Sequence, residues 1–235
     1  YSLTNWVGLI NLGPRASVSD YCQYFKRNVL YRTSTQEPIK VAGFIGTQWR
    51  EERGSEVGLL INQLQSYGFL SASTLTYSRL NTLMQEASLH KYHYVMIAEH
   101  SSAKGHFPEW EYPILIKDLK SYAPKIEFIN LFSCSASEPL PLQNNLAQTY
   151  LGLSETLGVI TSSVPGGMRY MQFFHEYLKE GMSFGEALST YLINNLSHFE
   201  FDSSLGYSFE TYQKNNLAWE AGLNFLGDPS LKLYQ

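Results

Sequence analysis

Two reactive side chains in this sequence each follow directly on a short apolar run. His100 comes after Tyr94-Val-Met-Ile-Ala98 and Glu99, and Cys134 comes after Ile126-Glu-Phe-Ile-Asn-Leu-Phe132 and Ser133. Both runs have the length and apolar character of buried strands. In an open α/β sheet, ligands bind outside the carboxyl ends of the strands. If the two runs are parallel neighbours, an imidazole and a thiol meet at such an edge, with Ser133, Cys134 and Ser135 at an exposed strand end. A thiol is a poor nucleophile while protonated, so a catalytic cysteine needs a base or cation beside it; His100 supplies one. The loops that follow, Ser101-Ser-Ala-Lys-Gly105 and Ser135-Ala-Ser137, are small enough for a substrate backbone to approach, and their amides could stabilise an oxyanion. The same residues fit a plainer reading, in which Cys134 is a small buried hydrophobe and His100 a hydrogen-bonded loop residue.

The surrounding elements alternate. Val7–Ile10 reads as a short strand, and Ser19-Asp20 as the cap of a helix running to about Arg32, with Tyr21, Phe25 and Leu30 partly on one face and Cys22 a packed core thiol. Lys40–Gly46 reads as a buried strand, Ser55–Tyr67 as a helix, Leu75-Thr76 as an extended piece and Asn81–His90 as a helix. Beyond His100 come a loop, a helix over Ile114–Tyr122, the Cys134 strand, a helix from Asn145 and the strand Gly158–Ser162. Helices over Met168–Glu180 and Ser183–Asn195 form a hairpin joined at Gly181, and the tail places a Gly-Asp-Pro turn between two apolar pieces. Strand–helix alternation implies right-handed crossovers and a mostly parallel sheet with helices on both faces, an αβα sandwich. No repeat or linker divides residues 1–235, so a single domain is expected.

Composition narrows the function classes. With 17 Lys and Arg against 21 Asp and Glu, and the basic residues scattered singly, the chain offers no field for nucleic acid. No apolar run approaches the roughly 18 residues that a membrane helix needs. Two cysteines make neither a disulfide framework nor a metal knuckle. Few Lys with many Tyr, Ser and Asn suggest an extracytoplasmic or secreted protein, and the missing N-terminal Met a piece of a longer precursor.

The order of parts resembles the gingipain family of cysteine peptidases, a branch of the caspase-like clan whose members place a His after one apolar strand and a Cys after the next. Val95-Met-Ile-Ala-Glu-His100 and Phe128-Ile-Asn-Leu-Phe-Ser-Cys134 supply these blocks. Trp6-Val-Gly-Leu-Ile10, Asn145-Leu-Ala147, Gly158-Val-Ile-Thr-Ser-Ser163 and Phe225-Leu-Gly-Asp-Pro-Ser-Leu231 extend the likeness over nearly the whole chain. The resemblance implies a caspase-like fold and a cysteine endopeptidase that cleaves peptide or protein substrates through a thioester acyl-enzyme. Cys134 would be the nucleophile, His100 the general base and acid, and the amides of Ser101 and Cys134 the oxyanion donors. Ser162, Ser163 and Val164 would wall the pocket for the residue before the scissile bond. No cofactor is required, and a structural calcium ion is expected only by family analogy. The family usually has Gly after the His, whereas this chain has Ser101; a β-carbon there is strained if the position needs positive φ. The alternatives are an inactive pseudopeptidase that binds peptide or protein in the same groove and, more distantly, a flavodoxin-like ligand-binding domain.

Other residues read less sharply. A basic cleavage preference would need Glu99, Glu138 or the Glu51/Glu52 loop, each of which reads first as a solvated surface acid. His90-x-x-His93 straddles a helix end and a strand start, which disfavours a shared metal. His106 is the rival base but falls in mid-loop. Gly43-Phe-Ile-Gly46 is no phosphate loop, and Gly166-Gly167 could make an anion nest or simply a turn.

Overall fold

The two runs that lead to His100 and Cys134 form the centre of a six-stranded sheet. A computed structural model of the protein describes residues 8–34, 39–46, 75–77, 79–107, 113–165, 172–197 and 222–233. In chain order the elements are α1 (Val18–Thr33), β1 (Val41–Ile45), β2 (Leu75–Tyr77), α2 (Leu80–Leu89), β3 (Tyr92–Ala98), β4 (Ser101–Ser102), β5 (Gly105–His106), β6 (Ile114–Leu115), α3 (Ile116–Tyr122), β7 (Ile126–Phe132), α4 (Leu146–Leu151), β8 (Gly158–Ser162), α5 (Gln172–Lys179), α6 (Phe184–Ser197) and β9 (Leu223–Gly227). The sheet order is β2-β1-β3-β7-β8-β9. All neighbours pair in parallel except β9, which runs antiparallel to β8. β3 and β7 are adjacent, with Ala98 opposite Phe132. The two strands therefore end level, as the sequence pattern predicts.

Every residue of β7 is buried, because a central parallel strand is covered on both faces and reads as a continuous apolar run. On one face Tyr94, Met96, Phe128, Ile160 and Phe225 meet Phe174 and Leu178 of α5 and Phe184 and Tyr191 of α6. On the other, Val95, Ile97, Ile129, Leu131 and Val159 meet Leu83 and Met84 of α2, Leu119 of α3 and Tyr150 of α4. The expected αβα sandwich is present. β4, β5 and β6 form a separate small antiparallel sheet directly after His100. Ile114 and Leu115, expected in a helix, belong to it, and α3 starts one residue later.

Several local expectations are corrected. α1 is capped by Ser17, not Ser19: Ser17 Oγ accepts from Asp20 N at 3.2 Å while Asp20 returns a carboxylate to Ser17 N at 2.7 Å, a capping box. Its buried face is Tyr24, Asn28 and Tyr31. Phe25 and Leu30 are exposed, and Cys22 is exposed rather than packed, since two residues from Tyr24 is the opposite side of a 3.6-residue helix. Of the Val7–Ile10 strand the described part makes one bridge, Leu9 to Leu226. The helix expected at 55–67, and Glu51, Glu52, Gly166 and Gly167, lie outside the described residues. Gly181, at φ 84°, ends the turn between α5 and α6 as expected.

The Gly-Asp-Pro turn is latched to α1. Asp228 Oδ2 accepts from Arg32 Nη2 at 2.7 Å and Asn28 Nδ2 at 2.9 Å, and Oδ1 accepts from Ser230 N at 3.0 Å. Burial pushes the Asp228 carboxyl up, but the hydrogen bonds from Ser230, Arg32 and Asn28 outweigh it and hold the group below the usual range. A lowered folded pKa stabilises above the unfolded value and is lost as pH falls through the folded one. Asp228→Ala is therefore expected to cost about 2 kcal/mol at neutral pH. The gap to wild type should narrow below about pH 4, as read by urea unfolding at the two pH values.

Candidate active site

The pairing of β3 with β7 continues one residue past Ala98, where Glu99 N donates to Phe132 O at 3.3 Å. Beyond it the two chains diverge, His100 leading into β4 and Cys134 into a tight turn. Ser133 N donates back to Leu131 O at 2.8 Å, curling the chain so that Ser133 and Ser135 are buried and Cys134 is half-buried. The expected exposed end is thus narrower than Ser133–Ser135; among those three, the thiol residue alone is more than marginally open. Ser135 has φ 50°, a left-handed conformation costing a β-carbon-bearing residue about 1–2 kcal/mol. Ser135 N to Val164 O at 3.1 Å and Glu138 N to Ser135 O at 3.1 Å hold it there. Strained backbone of this kind persists only where the surrounding structure over-determines it.

The residues that the family resemblance would place along a substrate pocket, Ser162, Ser163 and Val164, lie beside this turn. Ser137 N donates to Ser162 O at 3.0 Å, next to the Ser135–Val164 bond. Ser162 Oγ donates to Val164 O at 3.0 Å, and Ser163 N donates to Gly222 O at 2.9 Å. Ser162 is buried, while Ser163 and Val164 are half-buried. The segment therefore forms a braced ledge beside Cys134.

Across from it, Ser101 resolves the departure from glycine. Its φ is not positive, so the β-carbon fits without strain. Its Oγ donates to Cys134 O at 2.6 Å, tying the His100 strand end to the Cys134 turn. Ser101 faces His106 in the β4–β5 ladder, flanked by the bond from Phe107 N to His100 O at 2.9 Å. That bond makes Ser101 and His106 a non-hydrogen-bonded pair, so the Ser101 N–H is directed away from β5. The amide is thus free of the hairpin's own ladder.

With this geometry in place, comparison with solved structures is decisive for the architecture. The fold is that of the gingipain cysteine proteinases. The chain superposes on the Arg-specific cysteine proteinase gingipain R (RgpB) with a TM-score of 0.68 at 15% identity, covering 97% of this chain and 55% of that one. It is similar to the Porphyromonas gingivalis RgpB complex of pro- and mature domains, with a TM-score of 0.70 at 14% identity and 97% and 56% coverage. A further protease structure gives 0.60 at 10% identity, with 92% and 54% coverage. The chain spans just over half the length of these structures. No protein-family model matches it, and no curated protein sequence does.

Within the gingipain-like fold, the acids and remaining histidines fall as follows. Glu99, read as a solvated acid, is fully buried, because it continues β3 on the face covered by α4. Burial raises its pKa, opposed by His106 and then His100. His106 is likewise buried on β5 rather than in mid-loop; its Nδ1 is paired with Glu99 Oε1 and its Nε2 lies 2.8 Å from Tyr150 Oη. The sequence does not show this buried set: the Glu99-His100 step hides the acid behind His100, and only the pairing of β4 with β5 brings residue 106 back. Glu138 is exposed as read. His90 sits 3.9 Å from Glu86, while His93 Nδ1 accepts from Lys40 N at 2.9 Å. Among the described residues no group of three His, Cys, Asp or Glu is placed to hold a metal ion. None of the described helices is long and apolar enough to cross a membrane.

Proposed function

We propose that this chain is a cysteine endopeptidase domain acting on peptide or protein substrates through Cys134 and His100. The observation that carries the reading is the level ending of β3 and β7, which sends His100 and Cys134 to one sheet edge, with Ser101 Oγ bonded across to Cys134 O. The Cys134 sulfur, its proton passed to His100, attacks the scissile carbonyl and forms the C–S bond. The amides of Ser101 and Cys134 hold the resulting oxyanion. His100 then gives the proton to the leaving amine as the C–N bond breaks, leaving a thioester. Water, deprotonated by His100, attacks the thioester and releases the acid and the thiolate. Ser162, Ser163 and Val164 flank the side chain preceding the cleaved bond. The low lysine content supports a location outside the cytoplasm. The test is cleavage of a fluorogenic peptide panel by wild type and by Cys134→Ala; thiol reactivity without cleavage of any peptide would favour a peptide-binding module instead.

Ser101 gives a sharper expectation. Because its φ needs no glycine and its amide is outside the β4–β5 ladder, Ser101→Gly and Ser101→Ala should each lower the rate less than about tenfold, the worth of one hydrogen bond. A fall of roughly 10²–10³, the cost of an oxyanion donor, would place the hydroxyl itself in the mechanism.

A further inference from the structure

Glu99, His106 and Tyr150 are fully buried and, in the reaction above, touch no reacting atom. His106 Nδ1 meets the Glu99 carboxylate, its Nε2 lies 2.8 Å from Tyr150 Oη, and Tyr150 Oη reaches Met84 Sδ at 3.8 Å. The chain of contacts joins β3, the β4–β5 hairpin, α4 and α2. An acid without access to water costs several kcal/mol even when paired, and an apolar set of the same volume is often neutral or stabilising. Packing alone does not call for these three polar groups.

Their placement does. Glu99 directly precedes His100, and His106 faces Ser101 across the hairpin. The hairpin is also held by the pairing of β5 with β6, by Ser101 Oγ to Cys134 O at 2.6 Å, and by Phe107 N to His100 O at 2.9 Å, Leu146 N to Ala103 O at 2.9 Å and Ile116 N to Lys104 O at 3.2 Å. We propose that His106, held between Glu99 and Tyr150, is a positioning residue: it sets the hairpin, and with it the His100 ring and the Ser101 amide, against the Cys134 turn. The proposal rests on reading Cys134 and His100 as the dyad.

The test is iodoacetamide labelling of the full chain with peptide mapping, exposed Cys22 serving as internal reference. In Glu99→Leu/His106→Leu the buried pair becomes apolar; the melting temperature should not fall, yet Cys134 should react about tenfold more slowly. His106→Asn, whose amide can still donate to Glu99, should stay within about threefold of wild type. A double variant that labels at the wild-type rate while His100→Ala slows Cys134 overturns the positioning role and leaves the dyad standing. If His100→Ala itself leaves Cys134 unchanged relative to Cys22, both fall. Should the double variant not fold, Tyr150→Phe decides: slower Cys134 labelling supports the proposal, and an unchanged rate overturns it.

Discussion

Cys134→Ala is expected to abolish peptide cleavage while shifting the melting temperature by only a few degrees at most. The proposed chemistry needs the sulfur, because among the described residues no hydroxyl or amine takes its place at the end of β7: Ser133 and Ser135 are buried on either side. The fold does not need it, because Cys134 is half-buried and losing one sulfur at such a site removes little packing, whereas each kcal/mol lost would shift the midpoint by about 2–4 °C in a domain of this size. The paired measurement is thiol reactivity. Cys22 lies exposed on α1 and serves as the internal reference thiol. A Cys134 paired with His100 should outpace it at pH 6, where an unassisted thiol is almost wholly protonated, and should fall back to the Cys22 rate in His100→Ala. Retained cleavage in Cys134→Ala, or a loss of many degrees, would instead mark the residue as structural.

What the sequence disclosed follows from the kind of signal each feature leaves. The β3–β7 pair was legible because a central strand covered on both faces must be apolar throughout, and Ile126–Phe132 is so except for Glu127 and Asn130. Glu127 is accommodated by Lys91, whose Nζ lies 2.5 Å away, and Asn130 by the Tyr94 hydroxyl at 3.0 Å. Neither partner is adjacent in sequence, yet neither polar residue masks the run. The face of α1 was misread for a related reason. Tyr24, Asn28 and Tyr31 are buried through hydrogen bonds made at long range, Tyr24 Oη to Leu157 O at 2.8 Å and Asn28 to Asp228. Phe25 and Leu30, the more apolar choices, face outward. Periodicity ranks residues by hydrophobicity, so a helix anchored by tyrosine hydroxyls and an asparagine defeats it. Glu99 and His106 were hidden in the same way: each reads as surface until the small β4–β5–β6 sheet folds one onto the other.

The largest stability effect is expected where β9 closes the sheet. Gly227 has φ 136°, and a β-carbon there would lie against the Leu157 carbonyl oxygen and 2.9 Å from Gly158 Cα. Both obstacles are backbone, held by β8 pairing with β7, so no side chain can turn aside. Gly227→Ala should therefore cost about 3 kcal/mol or more, the left-handed strain adding to the clash. Gly181→Ala is the control. It too has positive φ, 84°, but nothing lies within 4 Å of its would-be β-carbon, so only the conformational cost of about 1 kcal/mol remains. Urea unfolding of both variants separates the two terms, and equal losses would show that strain alone governs. Gly227→Ala also reaches the site. β9 begins beside Gly222, whose carbonyl takes the Ser163 amide, and Ser162–Val164 in turn hold the turn after Cys134. Displacing β9 should thus slow Cys134 labelling in molecules that remain folded at low temperature, whereas Gly181→Ala, on the α5–α6 connection, should leave it unchanged.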